Sequence, residues 1–132
     1  MKEEVQAAFS EMLDISTDID KAVLFGPGEI LASNLEAEAQ DAAVAQAQEL
    51  MRLGDLRATE MGSQPLTQLV IETAAGMVFL ARETAPDGMA VLATGKKSSR
   101  VGLVLYDLKT CLRDAREALS TQSTEVEGCE EA

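Results

Sequence analysis

The sequence predicts an α+β domain in which a five-stranded antiparallel sheet lies between helices, an α/β/α sandwich with the element order αββαβββα. Three observations predict it. Stretches with apolar residues every three or four positions alternate with short apolar runs of strand length. Gly, Pro, Asn and Asp residues punctuate those runs at turns. Runs such as Met77-Val78-Phe79-Leu80-Ala81 are apolar on both sides of the pleat, so helices must cover both faces of the sheet. A chain of 132 residues and 14.1 kDa suits a single core. That core is placed over residues 1–119, with 120–132 as an acidic, disordered tail rich in Ser, Thr, Gln and Glu.

Val5, Phe9, Met12 and Leu13 fall on one stripe of a first helix running from about Glu3 to Ile15. Ile19 to Phe25 and Glu29 to Ser33 read as two strands joined by Gly26-Pro27-Gly28. Ser33 and Glu36 have capping-box spacing, with Asn34 an alternative cap, so a second helix should start near Leu35. It should run to about Leu53, with Gly54 as a stop, or with a further turn added by Asp55 to Met61. Leu66 to Thr73, Met77 to Glu83 and Met89 to Thr94 form a three-stranded meander, broken by Ala74-Ala75-Gly76 and Ala85-Pro86-Asp87-Gly88. A last helix opens at the Ser98-Ser99 cap pair and runs to about Leu119. Its apolar stripe is Val101, Val104, Leu105, Leu108, Cys111, Leu112 and Ala115.

Composition excludes several chemistries. There is no histidine, which removes Ser-His-Asp and Cys-His nucleophiles and imidazole-ligated zinc within this chain. Lys and Arg total 11 against 23 for Asp and Glu, a net charge of −12 that repels nucleic acid and anionic membrane alike. No apolar run approaches the ~18 residues of a membrane helix, and the Met-Lys-Glu-Glu start lacks an apolar signal core, so the expected location is cytoplasmic. Two cysteines make no disulfide framework, and Cys111 on a helix stripe reads as a small buried hydrophobe. No cofactor, metal ion or enzymatic activity is expected.

Two loops invite comparison with phosphate-binding motifs, and both fail it. Gly26-Pro27-Gly28 lacks a third Gly and leads into a strand instead of a helix. Thr94-Gly95-Lys96-Lys97-Ser98-Ser99 has Ala90 where a Walker A loop needs Gly, and Lys97 where it needs Ser or Thr. Lys96, Lys97 and Arg100 still form a tight cationic group, read either as a contact for an acidic partner or as a balance for nearby carboxylates.

The second helix carries more apolar surface than one docking face uses. Leu35, Ala39, Ala42, Ala43, Leu50 and Leu53 form one stripe, assigned to the helix's own sheet. Ala37, Val44, Ala47 and Met51 form a second, and together they make an arc of roughly 220°, against the ~100° a surface helix usually needs. If the hairpin and meander join through their first and fifth strands, the third strand, with Leu69 and Ile71, lies at an edge with no Pro or Lys to discourage pairing. A homodimer is therefore expected, joined by third strands and second helices through Ala37, Val44, Ala47, Met51, Leu69 and Ile71.

The element order and several local stretches resemble the roadblock/dynein light-chain family, including its bacterial MglB-like branch. The resemblance covers about Val5 to Leu119. It is carried by Ile19-Asp20-Lys21-Ala22-Val23-Leu24-Phe25 leading through Gly28 to Ile30-Leu31-Ala32-Ser33-Asn34, by Ala90-Val91-Leu92, and by Arg100-Val101-Gly102-Leu103-Val104. The family's usual Asn or Asp two residues before the Gly of that last stretch is Arg100 here. The resemblance implies a roadblock-like sheet with the first and third helices on one face and the second on the other. It also implies a non-catalytic dimeric regulator or scaffold of a small Ras-like GTPase, binding through paired second helices. Asp41, Gln48 and Arg52, on the outward side of the helical wheel, are then the candidate partner contacts. A small-molecule sensor module of PAS- or GAF-like type, or an assembly subunit without a GTPase partner, are the alternatives. A sensor needs a cavity with polar anchors, and the strands supply few polar side chains.

Overall fold

The computed structural model describes the backbone of residues 2–131 and the side chains of residues 3–120. Its elements are α1 (Lys2–Ile15), β1 (Ile19–Gly26), β2 (Glu29–Ser33), α2 (Ala37–Glu60), β3 (Gln68–Glu72), β4 (Gly76–Arg82), β5 (Ala90–Lys96) and α3 (Val101–Glu131). The order αββαβββα is the one the sequence predicts. All strands pair antiparallel in one sheet of order β2-β1-β5-β4-β3. The β1–β5 pairing joins hairpin to meander and leaves β2 and β3 as edges.

Alternation along the strands sends side chains to two cores. Toward α1 and α3 point Ala22 and Leu24 of β1, Phe79 and Ala81 of β4, and Val91 and Ala93 of β5. They meet Val5, Phe9 and Met12 of α1 and Val104, Leu108 and Cys111 of α3. Toward α2 point Val23, Phe25, Leu80 and Ala90, which close on Ala47. Burial pushes the Cys111 thiol up to about 12, with the Asp114 carboxylate adding to the effect, so it is an inert core residue.

Helix α2 runs past its expected stop. Gly54 does not end it; a Cβ there would stand 2.7 Å from Leu66 Cδ2, so the glycine marks a close approach between helix and the following segment. The true end is a Schellman motif at Gly62 (φ +73), whose N–H donates to Thr59 O while the Ser63 N–H donates to Ala58 O. The start differs too. Glu36 is the N-cap and makes no side-chain cap bond. Ser33 and Asn34, which resemble caps, are recruited elsewhere: Asn34 Oδ1 accepts from Ala22 N at 2.7 Å, and Asn34 Nδ2 donates to Asp20 O at 3.0 Å. Asn34 therefore extends the β1–β2 ladder through its side chain.

The cap of α3 also comes from outside its own neighbourhood. The Ser99 hydroxyl donates to Lys96 O. Asp18, buried in the turn before β1, instead accepts from Arg100 N at 2.8 Å and pairs with the Arg100 guanidinium at 3.1 Å and with Lys96 Nζ at 3.1 Å. Lys96 and Arg100 thus balance a carboxylate, as one of the two expectations had it. The backbone of α3 continues beyond the expected end at Leu119. The expected disordered tail falls mainly on 121–132, whose side chains lie outside the described residues.

The backbone amide of Arg100, its guanidinium and the Lys96 ammonium hold Asp18 down to about 2, from an ordinary 3.8. A depressed carboxylate stabilises the fold above its unfolded value and loses that contribution as pH falls toward its folded one. Asp18→Asn should lower the melting temperature at neutral pH and flatten the acid limb of the stability curve between pH 3.8 and about 2, as followed by circular dichroism.

Candidate partner interface

Helix α2 lies alone on its face of the sheet and crosses it obliquely. Its first turns sit over the end of β1 marked by Lys21, where Gln40 Nε2 donates to Leu35 O at 3.1 Å. Its last turns reach the opposite end of β4, where the Arg82 guanidinium binds Asp55 at 2.7 and 2.8 Å. Asp55 also accepts from Leu66 N at 2.8 Å, tying helix, connecting segment and sheet together. Arg82 and the Leu66 amide keep the Asp55 carboxyl below its usual range despite the opposing effect of burial.

This oblique path leaves part of the sheet uncovered. Between α2 and the β3 edge runs an apolar groove of about 290 Å³, floored by Val23, Leu92, Val78 and Ile71 and walled by Ala43 and Leu50. Lys21, Gln46 and Thr94 supply its polar lining. The buried polar residues, Ser16, Asp18 and Asp107, are not among the residues lining it, so it offers no buried anchor to orient a small ligand. Beside it, β3 pairs only with β4 and presents Leu69 and Ile71, half-buried, on the α2 face.

The expected dimer residues fall in different places. Leu69 and Ile71 lie at the edge as anticipated. Ala37 is exposed in the first turn of α2. Ala47 needs correction: at 0% exposure it is the point where α2 rests on its own sheet, against Val23, Phe25, Leu80 and Ala90. A methyl group is the smallest side chain that still fills a contact, so the closest approach selects alanine. Val44 and Met51 flank Ala47 and pack on the same cluster. The docking face therefore runs between the two stripes read from sequence, and the groove is bordered by Ala43 and Leu50, from the stripe assigned inward.

Asp41, Gln48 and Arg52 are exposed and share one side of α2; Asp41 and Gln48 line a shallow cleft against Gly28 and Glu29. Arg52 is held by Glu49 one turn earlier, at 3.1 Å. Sequence reading did not single out Leu56 and Met61, exposed by 50% and 67%, because it drew the helix wheel only to Leu53. Continuing the wheel past Gly54 brings Leu56 onto the outer face, close to exposed Leu53. Among the described residues no three of His, Cys, Asp and Glu are placed to hold a metal ion, and no helix is long and apolar enough to cross a membrane.

No family model and no curated protein matches the sequence. Solved structures do match the fold. A roadblock/LC7 domain from Streptomyces avermitilis superposes with TM-score 0.76 at 17% identity, covering 87% of this chain and 97% of that one. Myxococcus xanthus MglB gives 0.71 at 11%, over 91% and 90%. The gliding protein MglB of Thermus thermophilus gives 0.69 at 16%, over 87% and 90%. The fold is that of roadblock/LC7 domains and MglB, in line with the resemblance carried by the β1–β2, β5 and α3 stretches.

Removing the carboxylate that joins α2 to β4 should strand a guanidinium that is only 19% exposed. Asp55→Ala is expected to lower unfolding free energy by about 1–3 kcal/mol in urea titration.

Proposed function

From a chain with the roadblock/LC7 fold, we propose a homodimer that regulates or scaffolds a small Ras-like GTPase and contributes no catalytic group of its own. The single observation that carries this is the apolar groove beside an unguarded β3 edge. Pairing of two β3 strands would satisfy the free backbone groups of that edge and bring a second α2 alongside the first. Leu50, Ile71 and Val78 would then be covered by the partner's copy of the same surface, an isologous contact closed by a two-fold axis. A solved MglB at 17% identity is described as having a tetrameric arrangement, which supports self-association as a habit of the fold.

The two α2 helices would form one outer platform. Asp41, Gln48 and Arg52 would stand on it as polar contacts, with Leu53 and Leu56 as apolar ones. A GTPase held there in its hydrolysis-competent arrangement is favoured by as much as the platform binds that arrangement better than the others. Such a mechanism needs shape and charge and no nucleophile. Arg52, tied to Glu49 in the free subunit, serves as a surface contact in this scheme.

Ile71→Asp, at a position outside the Phe25 cluster, should give monomers in analytical ultracentrifugation with circular dichroism unchanged; persistence of the dimer overturns the interface. Val44→Asp and Met51→Asp should instead lower the melting temperature, since both side chains pack on the Phe25 cluster. In pull-downs with Ras-like GTPases of the source organism, binding should depend on whether GTP or GDP is loaded, and Asp41→Lys should weaken it while leaving the dimer intact. Absence of any nucleotide-dependent binding removes the GTPase from the proposal.

A further inference from the structure

On the opposite side of the sheet from α2, the seam between α1 and α3 carries a second unexplained surface. Three of the exposed large apolar residues lie on these two helices: Ile15 at the end of α1, and Leu103 and Tyr106, neighbours at i and i+3 in the first turns of α3, exposed by 61%, 43% and 65%. One turn further along α3 the seam opens into a cavity of about 40 Å³ lined by Glu11 of α1 and Asp107 and Asp114 of α3. A few waters occupy as much space, so the cavity fits one side-chain head group and no free metabolite. Asp107 is only 8% exposed, and its Oδ2 has no hydrogen-bond partner among the described residues. Arg113 pairs with Asp114 at 3.3 Å, while Glu11 and Asp107 have no ion pair among the described residues.

A buried carboxylate oxygen without a donor is costly, and a cation reaching it from outside would remove that cost. We propose that the α1–α3 seam docks an amphipathic, basic helix of a partner polypeptide, one of whose Lys or Arg side chains enters the cavity to meet Asp107. Charge complementarity selects this occupant. The lips of the seam carry Glu11, Asp107 and Asp114, so the same seam of a second copy is repelled there where a basic segment is drawn in. Ile15, which lines the cavity, and the Leu103–Tyr106 pair supply the apolar surface on which such a helix lays its hydrophobic face. The site lies across the sheet from the α2 platform and does not depend on the function assigned to that platform.

The probe is a peptide of about 16 residues, Leu and Lys alone, with Leu at helical i, i+3, i+4 spacing, and a counterpart in which every Lys is Glu. Amide chemical-shift changes on adding the Lys peptide should map to residues around 8–15 and 103–114, and the Glu peptide should produce none. In fluorescence anisotropy, Asp107→Asn and the pair Leu103→Ala with Tyr106→Ala should each weaken binding by about tenfold. Leu53→Ser with Leu56→Ser, on the far face, should leave it within about twofold. Shifts spread over the acidic surface, equal weakening by all variants, or binding indifferent to Asp107→Asn would overturn the proposal. Asp107→Asn keeps the side chain's shape while removing the charge and turning one acceptor into a donor, and an unchanged circular dichroism spectrum of the variant is expected alongside the weakened binding.

Discussion

One mismatch of widths governs this molecule: a five-stranded sheet has two faces of equal breadth, and the chain supplies two helices to one and a single helix to the other. Five strands spaced about 4.8 Å apart put roughly 19 Å between the outer axes, while a helix with its side chains is only about 10–12 Å across. Helices α1 and α3, packed along one another, close their side and leave Phe79, Leu24 and Leu108 fully buried. Helix α2 spans its side obliquely and leaves the β3–β4 corner with Ile71 and Val78 in a groove. Neither longer side chains nor a longer helix repairs this, because the deficit is in width. Only another element laid beside α2 does.

The placement of polar side chains follows from what the two halves of the sheet need. Three carboxylates act as cross-chain rivets. Asp18 binds the start of α3 to the turn before β1, Asp55 binds α2 to β4, and Glu83 binds Arg116 of α3 at 2.8 Å while accepting from Met89 N at 2.9 Å. Each joins segments that hydrophobic packing alone would leave free to slide, and each is held below its ordinary pKa by its partners. In a chain so acidic, most carboxylates repel one another. These three are placed where a cation or an amide turns that liability into a directional bond.

Most of the fold was legible in the sequence, and the misses share one cause. Element order follows from apolar periodicity and turn residues, which are local signals; the β1–β5 junction, on which the edge position of β3 depends, entered only as a condition and is a long-range pairing that the structure supplies. What failed were inferences about which local signal tertiary structure would use. Gly54 looks like a stop and is a point of close approach to Leu66; Asn34 looks like a cap and is a side-chain rung of the ladder; the α3 cap comes from Asp18, 82 residues away. On α2, the wheel separates two stripes cleanly, yet nothing in it says that Ala47, a member of the second, is the pivot on the helix's own sheet. The smallest residue at a crossing point is invisible to any count of hydrophobicity. At the surface, the exposed positions of Asp41, Gln48 and Arg52 were legible, but the groove wall at Leu50 and the unpartnered oxygen of Asp107 were not, since both exist only once helices are packed.

The sheet also acts as a partition. The large exposed apolar residues divide between its two sides, with Leu53, Leu56 and Met61 on α2 or at its end and Ile15, Leu103 and Tyr106 on α1 and α3. A thick, close-packed core between two such surfaces keeps their occupants from touching, so binding on one side neither blocks nor requires binding on the other. The Glu83–Arg116 bond, at the mouth of the β4–β5 turn, stands nearest to both the α2 cleft and the α3 helix. With both proposed surfaces occupied, such a subunit would hold its partners on opposite sides of one five-stranded sheet.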